Sequence, residues 1–326
     1  MPSARSSHHD AILTNMSIAY MQSSADFIAT KVFPAVPVQK QSDRYIVYPK
    51  AAWFRDEAEK RAPGAVAKEV KFDVDNTPTY FCEEWALSAT IADEERENAD
   101  SPLSPDQDLT EFLTQKMLLR RERLWTERYF KTGVWGLDLE GVAGTPSANQ
   151  FKQWDQAAVN PFQHIKELKL KMKETTGMEP NTLVIGPYVY NVLSEHPEAL
   201  DRIKYTQKGI ITAEILASLF DIQRVLVGKA TVNLGEEGAQ DAFGFIHGKN
   251  GLLCYAEPNP GLRKPSAGYT FAWRGLNPGF DQAGIVISRG RIAEDRAHAD
   301  YVEARMAFDQ KVVSADLGIF LESLVG

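Results

Sequence analysis

From Gln107 to Lys131 the chain runs without a proline or a glycine, and stops follow at Gly133 and Gly136. Leu109, Leu113, Met117 and Leu124 give this stretch an apolar side, so the pattern predicts one long helix. At roughly 1.5 Å of rise per residue such a helix spans a whole domain. Whatever the chain folds into must therefore be laid along it. The helix also carries Lys116, Arg120, Arg121, Arg123, Arg128 and Lys131, interrupted by Glu122 and Glu127, with Trp125 and Tyr129 nearby. A basic helix studded with aromatics can track a phosphate backbone. The interspersed acids fit a salt-bridged face or a subunit contact better.

The segments before this helix do not read as a self-sufficient domain. Residues 11–41 contain one short apolar stretch with Phe27 and Ile28, then break at Phe33-Pro34 and Val36-Pro37. Two prolines so close stop a helix and extend the residues before them, which predicts an arm with one short helix and an extended end. Between Asp43 and Ile91 the period changes to two. Arg44-Tyr-Ile-Val-Tyr48 is β-branched and aromatic, and Val70, Phe72 and Val74 alternate with Lys71, Asp73 and Asp75. A charged stretch between them ends in Pro63-Gly64, a turn signal. The pattern predicts a long two-stranded excursion with a charged tip. A lone hairpin is marginal in water, because it cannot bury both faces, so this one needs support from elsewhere.

Beyond the long helix, residues 133–160 read as a glycine-rich irregular connection. Pro161 then opens a second helix that ends at Gly177. A strand at 181–186, helices at 188–195 and 212–220, and a strand at Arg224-Val-Leu-Val227 follow. Residues 243–247 and 252–255, joined through Asn250-Gly251, predict a hairpin. The tail returns to β structure, with Val302, Ala304, Met306 and Phe308 alternating against Glu303, Arg305 and Asp309, and a last apolar strand from Leu317.

Composition narrows the function. The 326 residues hold 36 Lys plus Arg against 44 Asp plus Glu, a formal charge of -8 and a pI near 5.4. That balance argues against a protein gripping nucleic acid over its whole surface, since phosphate binding is driven by cations displacing counterions. Cys82 and Cys254 lie far apart, which excludes paired-cysteine zinc signatures and fits a reducing compartment. The Ser- and His-rich start has no apolar stretch behind it and predicts no secretory signal, and no run reaches the roughly 18 apolar residues of a membrane span. Length permits one large domain or two of ordinary size.

A search for chemistry finds little. Gly244-Phe-Ile-His-Gly248-Lys249 lacks the spacing and the Ser or Thr of a phosphate loop, and its glycines suit turns. There is no Gly-x-Ser-x-Gly elbow. The six histidines are scattered without the i, i+4 spacing of a helical metal site. Asp93-Glu94-Glu95-Arg96-Glu97 is contiguous, with an Arg inside it, where calcium loops alternate their acids around a glycine. No catalytic, cofactor or metal residue is assigned, and the chain is not expected to be an enzyme.

One pattern does point to a family. Asp10-Ala-Ile-Leu-Thr-Asn-Met-Ser-Ile-Ala-Tyr20, then Phe27-Ile-Ala, Val32-Phe-Pro34, Val36-Pro-Val38 and Gln41-Ser-Asp43, resembles the N-terminal region of tailed-bacteriophage major capsid proteins. The helix ending at Gly177, with Asn181-Thr-Leu-Val-Ile-Gly-Pro-Tyr-Val-Tyr190 after it, is similar to the opening of their axial domain. The resemblance covers nearly the whole chain. It implies an α+β, Hong Kong 97-type capsid fold: an arm at 1–42, an extended loop at 43–91, a peripheral domain at 92–160 and 263–326 with the spine helix about 107–131, and an axial domain at 161–262. It further implies a subunit that assembles into the icosahedral head shell around a double-stranded DNA genome, forming hexamers and pentamers with itself. Separate scaffolding, portal and decoration proteins are the further partners implied. DNA would be touched weakly, membranes not at all, and no cofactor is expected. The implied place is the virion, after assembly in the host cytoplasm.

On this resemblance the loop and arm reach neighbouring subunits. Phe33, Val36, Trp53, Val70, Phe72, Val74, Arg120, Arg123 and Arg128 are the interface residues expected. No long N-terminal extension of the fused-scaffold kind is expected. Some relatives crosslink a loop Lys to an Asn of another subunit; Lys60, Lys68 and Asn277 are the residues to consider, but no motif match supports them. The nearest rival is an encapsulin-like compartment shell of the same fold. A tail-tube or head-completion protein predicts a shorter chain, and an α+β enzyme needs a convergent polar site that the motifs do not supply.

Overall fold

The computed structural model describes residues 22–48, 50–71, 74–99, 104–156, 158–204, 210–236, 238–261, 264–275, 284–292 and 298–326. In chain order they form helix α1 (Ala29–Val32), strands β1 (Ala35–Val38) and β2 (Ser42–Arg44), helix α2 (Lys50–Trp53), strands β3 (Thr79–Phe81) and β4 (Glu83–Ala92), and helix α3 (Asp93–Glu97). The spine helix α4 (Pro105–Tyr129) follows, then β5 (Leu137–Val142), β6 (Gln150–Lys152), α5 (Pro161–Thr176), β7 (Thr182–Ile185), α6 (Pro187–Glu195), α7 (Pro197–Ile203) and α8 (Ala213–Phe220). The remainder is β8 (Arg224–Val227), β9 (Thr231–Asn233), β10 (Phe243–Phe245), β11 (Gly251–Cys254), β12 (Gly268–Trp273), β13 (Ile285–Arg291), β14 (Ala299–Val312) and β15 (Gly318–Glu322).

The spine helix starts at Pro105, where a missing N–H costs nothing. Its 25 residues extend about 37 Å and join two cores. Near its start, Leu113 and Met117 pack with Leu124 on Val302, Ala304, Met306 and Phe308 of β14. These alternate along the strand as the sequence pattern requires. Near its end, Trp125 and the following Phe130 belong to a second cluster with Phe320, Leu252 and Val184.

That second cluster lies on one face of a mixed six-stranded sheet in the order β6-β5-β15-β11-β7-β8. Leu183, Ile185, Leu253, Ile319 and Leu321 point to the other face, where Phe162, Ile165, Leu168 and Met172 of α5 and Leu193, Leu216 and Phe220 cover them. Strands β7 and β11 are buried throughout, which explains their uninterrupted apolar sequences. Helix α5 is bounded as its sequence demands. The Asn160 side chain accepts the Gln163 N–H at 3.1 Å, and Gly177 ends the helix in the left-handed region with φ 71°.

A five-stranded sheet, β1-β12-β14-β13 with β4 also on β14, forms the other body. Two short ribbons complete the described strands, β2 with β3 and β9 with β10.

Several expectations need correction. Residues 133–160 are not irregular: β5 and β6 occupy them, and both join the six-stranded sheet, as does β15 from the tail. Boundaries drawn at 160 and 262 therefore cut through that sheet, because its two halves come from distant parts of the sequence. The hairpin through Asn250-Gly251 does not form. Strand β10 pairs with β9, whereas β11 pairs with β7 and β15. Leu252-Leu253-Cys254 needs cover on both faces, which a surface hairpin lacks. In the excursion, residues 55–71 carry no strand; β2 with β3 and a bridge between Val47 and Asp75 supply its β pairing at the root. Phe72 and Asn277 lie outside the described residues.

The arm is corrected from Gln22 onward; residues 1–21 lie outside the described residues. Phe27, Ile28, Ala29, Val32 and Phe33 are core residues of their own chain, each no more than 5% exposed. Phe33 packs edge-on to Trp125 and Trp135 at ring distances of 5.8 and 6.2 Å. It has no surface left to offer a neighbour.

Candidate subunit interface

The loop that leaves the body after β2 is rooted firmly and then loses all cover. At its root Tyr80 stacks on Phe271 at 4.6 Å, Asp309 accepts the Phe81 N–H at 3.0 Å, and the Cys82 N–H donates to Gln41 O at 2.9 Å. Lys50 of α2 pairs with Asp316. Phe54 lies against Gly177, where a Cβ would sit 2.8 Å from the ring. Glycine at 177 thus serves twice, for the left-handed helix end and for this approach.

Beyond that point every described residue from 58 to 71 is exposed. Trp53 is 64% exposed, Phe54 66%, Val66 90%, Val70 55% and Val74 41%. Trp53 touches Tyr48 edge-on at 5.9 Å. An isolated exposed apolar residue needs no explanation, but here several lie along one segment. Interleaved charges, including a Lys68–Glu59 pair, keep the segment soluble.

The cations expected on the spine divide. Arg120 lies over the Trp85 ring at 4.5 Å, and Arg123 pairs with Glu127 at 2.9 Å, so both are half-buried and engaged within the chain. Arg128 is exposed. It lines a cleft of about 450 Å³ with Phe81, Glu83, Tyr129, Lys131, Asp309 and Lys311. Of the expected interface residues, Trp53, Val70, Val74 and Arg128 are presented outward. Val36 is half-buried beside the cluster of Tyr80, Cys82, Tyr269 and Phe271, and Phe33 is core. Sequence reasoning missed Phe54, Phe81 and Asp309. Phe54 had a signal, an aromatic inside a charged run; Asp309 had none, since its role depends on a strand more than 200 residues away.

Groups that could carry chemistry hold structural posts. Trp154 Nε1 donates to His164 Nδ1 at 3.2 Å, and His196 Nδ1 accepts the Glu198 N–H at 3.2 Å to cap α7. Burial pushes the thiols of Cys82 and Cys254 up to about 12, far from thiolate at neutral pH. Among the described residues no group of three or more His, Cys, Asp or Glu could hold a metal, and no helix is long and apolar enough to cross a membrane.

A long helix joining two sheets, a rooted but uncovered loop, and a mixed α/β module define a Hong Kong 97-type capsid fold. A phage-related protein from Bordetella bronchiseptica RB50 superimposes with a TM-score of 0.68 at 22% identity, over 97% of each chain. The capsid protein of cyanophage P-SCSP1u matches with a TM-score of 0.57 at 11% identity, over 94% of this chain and 89% of that one. The SrpI encapsulin of Synechococcus elongatus PCC 7942 matches at 0.53 and 11%, over 98% and 96%. In sequence the chain is 26% identical to the major capsid protein of Burkholderia phage BcepMu over 323 residues, and 26% identical to that of Pseudomonas phage JBD67 over 322, with 97% of each chain covered. No family model matches. The chain is a homologue of phage major capsid proteins.

Proposed function

We propose that this chain is the structural, non-enzymatic subunit of an icosahedral phage head shell that self-assembles around double-stranded DNA. The observation that carries the reading is full-length similarity to major capsid proteins from two phages, joined to a loop that leaves much of its apolar surface exposed. Obligate interfaces bury on the order of 2,000–5,000 Å², and a loop laid over a neighbour adds such area without enlarging the body. Trp53, Phe54, Val70 and Val74, with Phe72 between them in sequence, are the proposed contacts; Arg128 and its cleft are a second contact.

In this reading 43–91 is the intersubunit loop and 92–160 with 263–326 the peripheral part. The axial part takes 161–262 together with β5, β6 and β15. Partners are copies of the same chain in hexamers and pentamers, with scaffolding, portal and decoration proteins beyond them. A net charge of -8 per subunit leaves packaged DNA weakly held, since contact with phosphate needs cations. The place of action is the virion, reached after assembly in the host cytoplasm.

The encapsulin likeness favours a second reading, a compartment shell enclosing protein cargo. Negative-stain electron microscopy of the purified chain tests both. Closed hollow particles are expected, and only small discrete oligomers under all conditions would overturn the shell reading. DNA inside particles from infected cells supports the phage head, whereas a co-purifying enzyme supports the compartment.

A further inference from the structure

The described part of the N-terminal segment, Gln22 to Val38, crosses the seam between the two bodies and is tied to both at several points. The Gln22 amide donates to Thr231 O at 2.8 Å and accepts the Thr231 N–H at 2.9 Å, a reciprocal pair with β9. Gln115 of the spine helix donates to Gln22 O at 2.6 Å. Arg224 of β8 donates to Lys31 O at 2.8 Å, and the Thr270 hydroxyl of β12 donates to Phe33 O at 2.9 Å. Strand β1 then runs parallel to β12. One segment thereby holds the spine and both sheets.

At its centre is Glu122, 1% exposed on a helix otherwise rich in cations. Its carboxylate accepts the Ile28 N–H at 3.0 Å and the Ala29 N–H at 2.9 Å, the orphan donors at the start of α1. Oε1 also lies 3.3 Å from Nε2 of His247, a ring with no exposure. That ring is held by Trp125 and Phe130 at 5.9 and 5.3 Å and by Gly228, where a Cβ would meet Nδ1 at 2.2 Å. A side chain so deeply buried needs its polar atoms matched, and the Ile28 and Ala29 N–H groups are the donors that match them. Glu122 therefore ties the segment to the spine helix at one point, with the His247 ring packed beside it.

We propose that residues 22–38 form a strap closed in cis, with Glu122 as its latch. The strap fixes the six-stranded sheet against the spine and opens as one unit when the latch is removed. Ile28, Ala29, Val32 and Phe33 seal the seam, and the polar ties fix where along it the segment seats. This inference concerns ties within one chain and stands or falls independently of what the chain assembles into.

Hydrogen–deuterium exchange of the full chain tests it, comparing the parent with Glu122→Ala and Glu122→Gln. In Glu122→Ala, peptides covering 22–38 and Thr231 exchange at least about tenfold faster, together, while peptides from β7 and β14 are unchanged, as expected for one cooperative opening unit. Glu122→Gln keeps an acceptor oxygen and gives a smaller rise confined to the same peptides. Unchanged strap exchange overturns the proposal. So does an equal rise in β7 and β14, which makes Glu122 an ordinary core residue. If Glu122→Ala does not fold, the same two criteria applied to Glu122→Gln decide.

Discussion

The strap at 22–38 and the loop at 50–74 look alike in sequence: each is broken by proline, and each carries aromatic residues among polar ones. Their fates differ. The strap buries Phe27, Ile28, Ala29, Val32 and Phe33 in its own chain, while the loop leaves Trp53 and Phe54 about two-thirds exposed. The strap clusters its buried apolar residues between Phe27 and Phe33 and meets polar partners there from the spine, β8 and β12. The loop spaces them among charges, so no single surface of its own chain can cover them without desolvating those charges. An extended segment docks in cis when the body supplies both an apolar seat and polar complements.

The largest effect that can break this comparison lies in the strap. Phe33→Ala removes a fully buried ring between Trp125 and Trp135 and is expected to cost about 3–5 kcal/mol, read as a lowered urea midpoint or loss of soluble chain. In the loop, Trp53→Ser with Val70→Ser should leave subunit stability within about 0.5 kcal/mol yet abolish shells on electron micrographs. If subunit stability fell as it does for Phe33→Ala, the loop would be docked in cis and the contrast lost.

Gly177→Ala sharpens the point where the loop meets its own body. A left-handed backbone and the close Phe54 ring predict a loss of about 1–2 kcal/mol, measured by thermal unfolding. Phe54→Ala in the same background should recover part of it, since only the steric contribution is relieved.

The smallest effect is a control away from both regions. Arg291 and Arg96 hold the carboxyls of Asp93 and Asp300 below the usual carboxylate range, Arg291 first for Asp93 and Arg96 first for Asp300. A carboxyl with a lowered folded value adds stability that is fully present above its unfolded value, near 3.8, and is lost as pH falls through the folded one. Melting temperature should therefore drop below about pH 4, and Asp300→Asn should flatten that drop. Exchange in the strap should be the same in Asp300→Asn as in the parent at pH 7.

Much of the fold could be read from local pattern. The spine helix, α5 with its Gly177 end, β7, α6, α8, β8 and β14 follow from periodicity and caps, which act over a few residues. Strands β5 and β6 escape the local pattern: Leu137-Asp-Leu-Glu140 does alternate, but the run is short and set among glycines, and the partner that orders it, β15, is the tail. The Phe243–Phe245 segment looked like half of a hairpin because an Asn-Gly turn signal is local, while the choice of partner strand is not. Of the interface, Trp53, Val70 and Val74 stood out as apolar residues in a charged excursion. Glu122 could not be told from Glu127, since both are acids in a basic helix and only one faces the strap.

The sequence by itself determined the elements whose causes are local: helix length, helix ends and the alternating face of β14. It also determined, through full-length similarity, that the chain is a homologue of shell-forming proteins. Tertiary structure decided which of two similar excursions is buried. Burial depends on whether the rest of the chain presents an apolar seat and unpaired polar groups at one place, and that place is assembled from residues far apart along the chain.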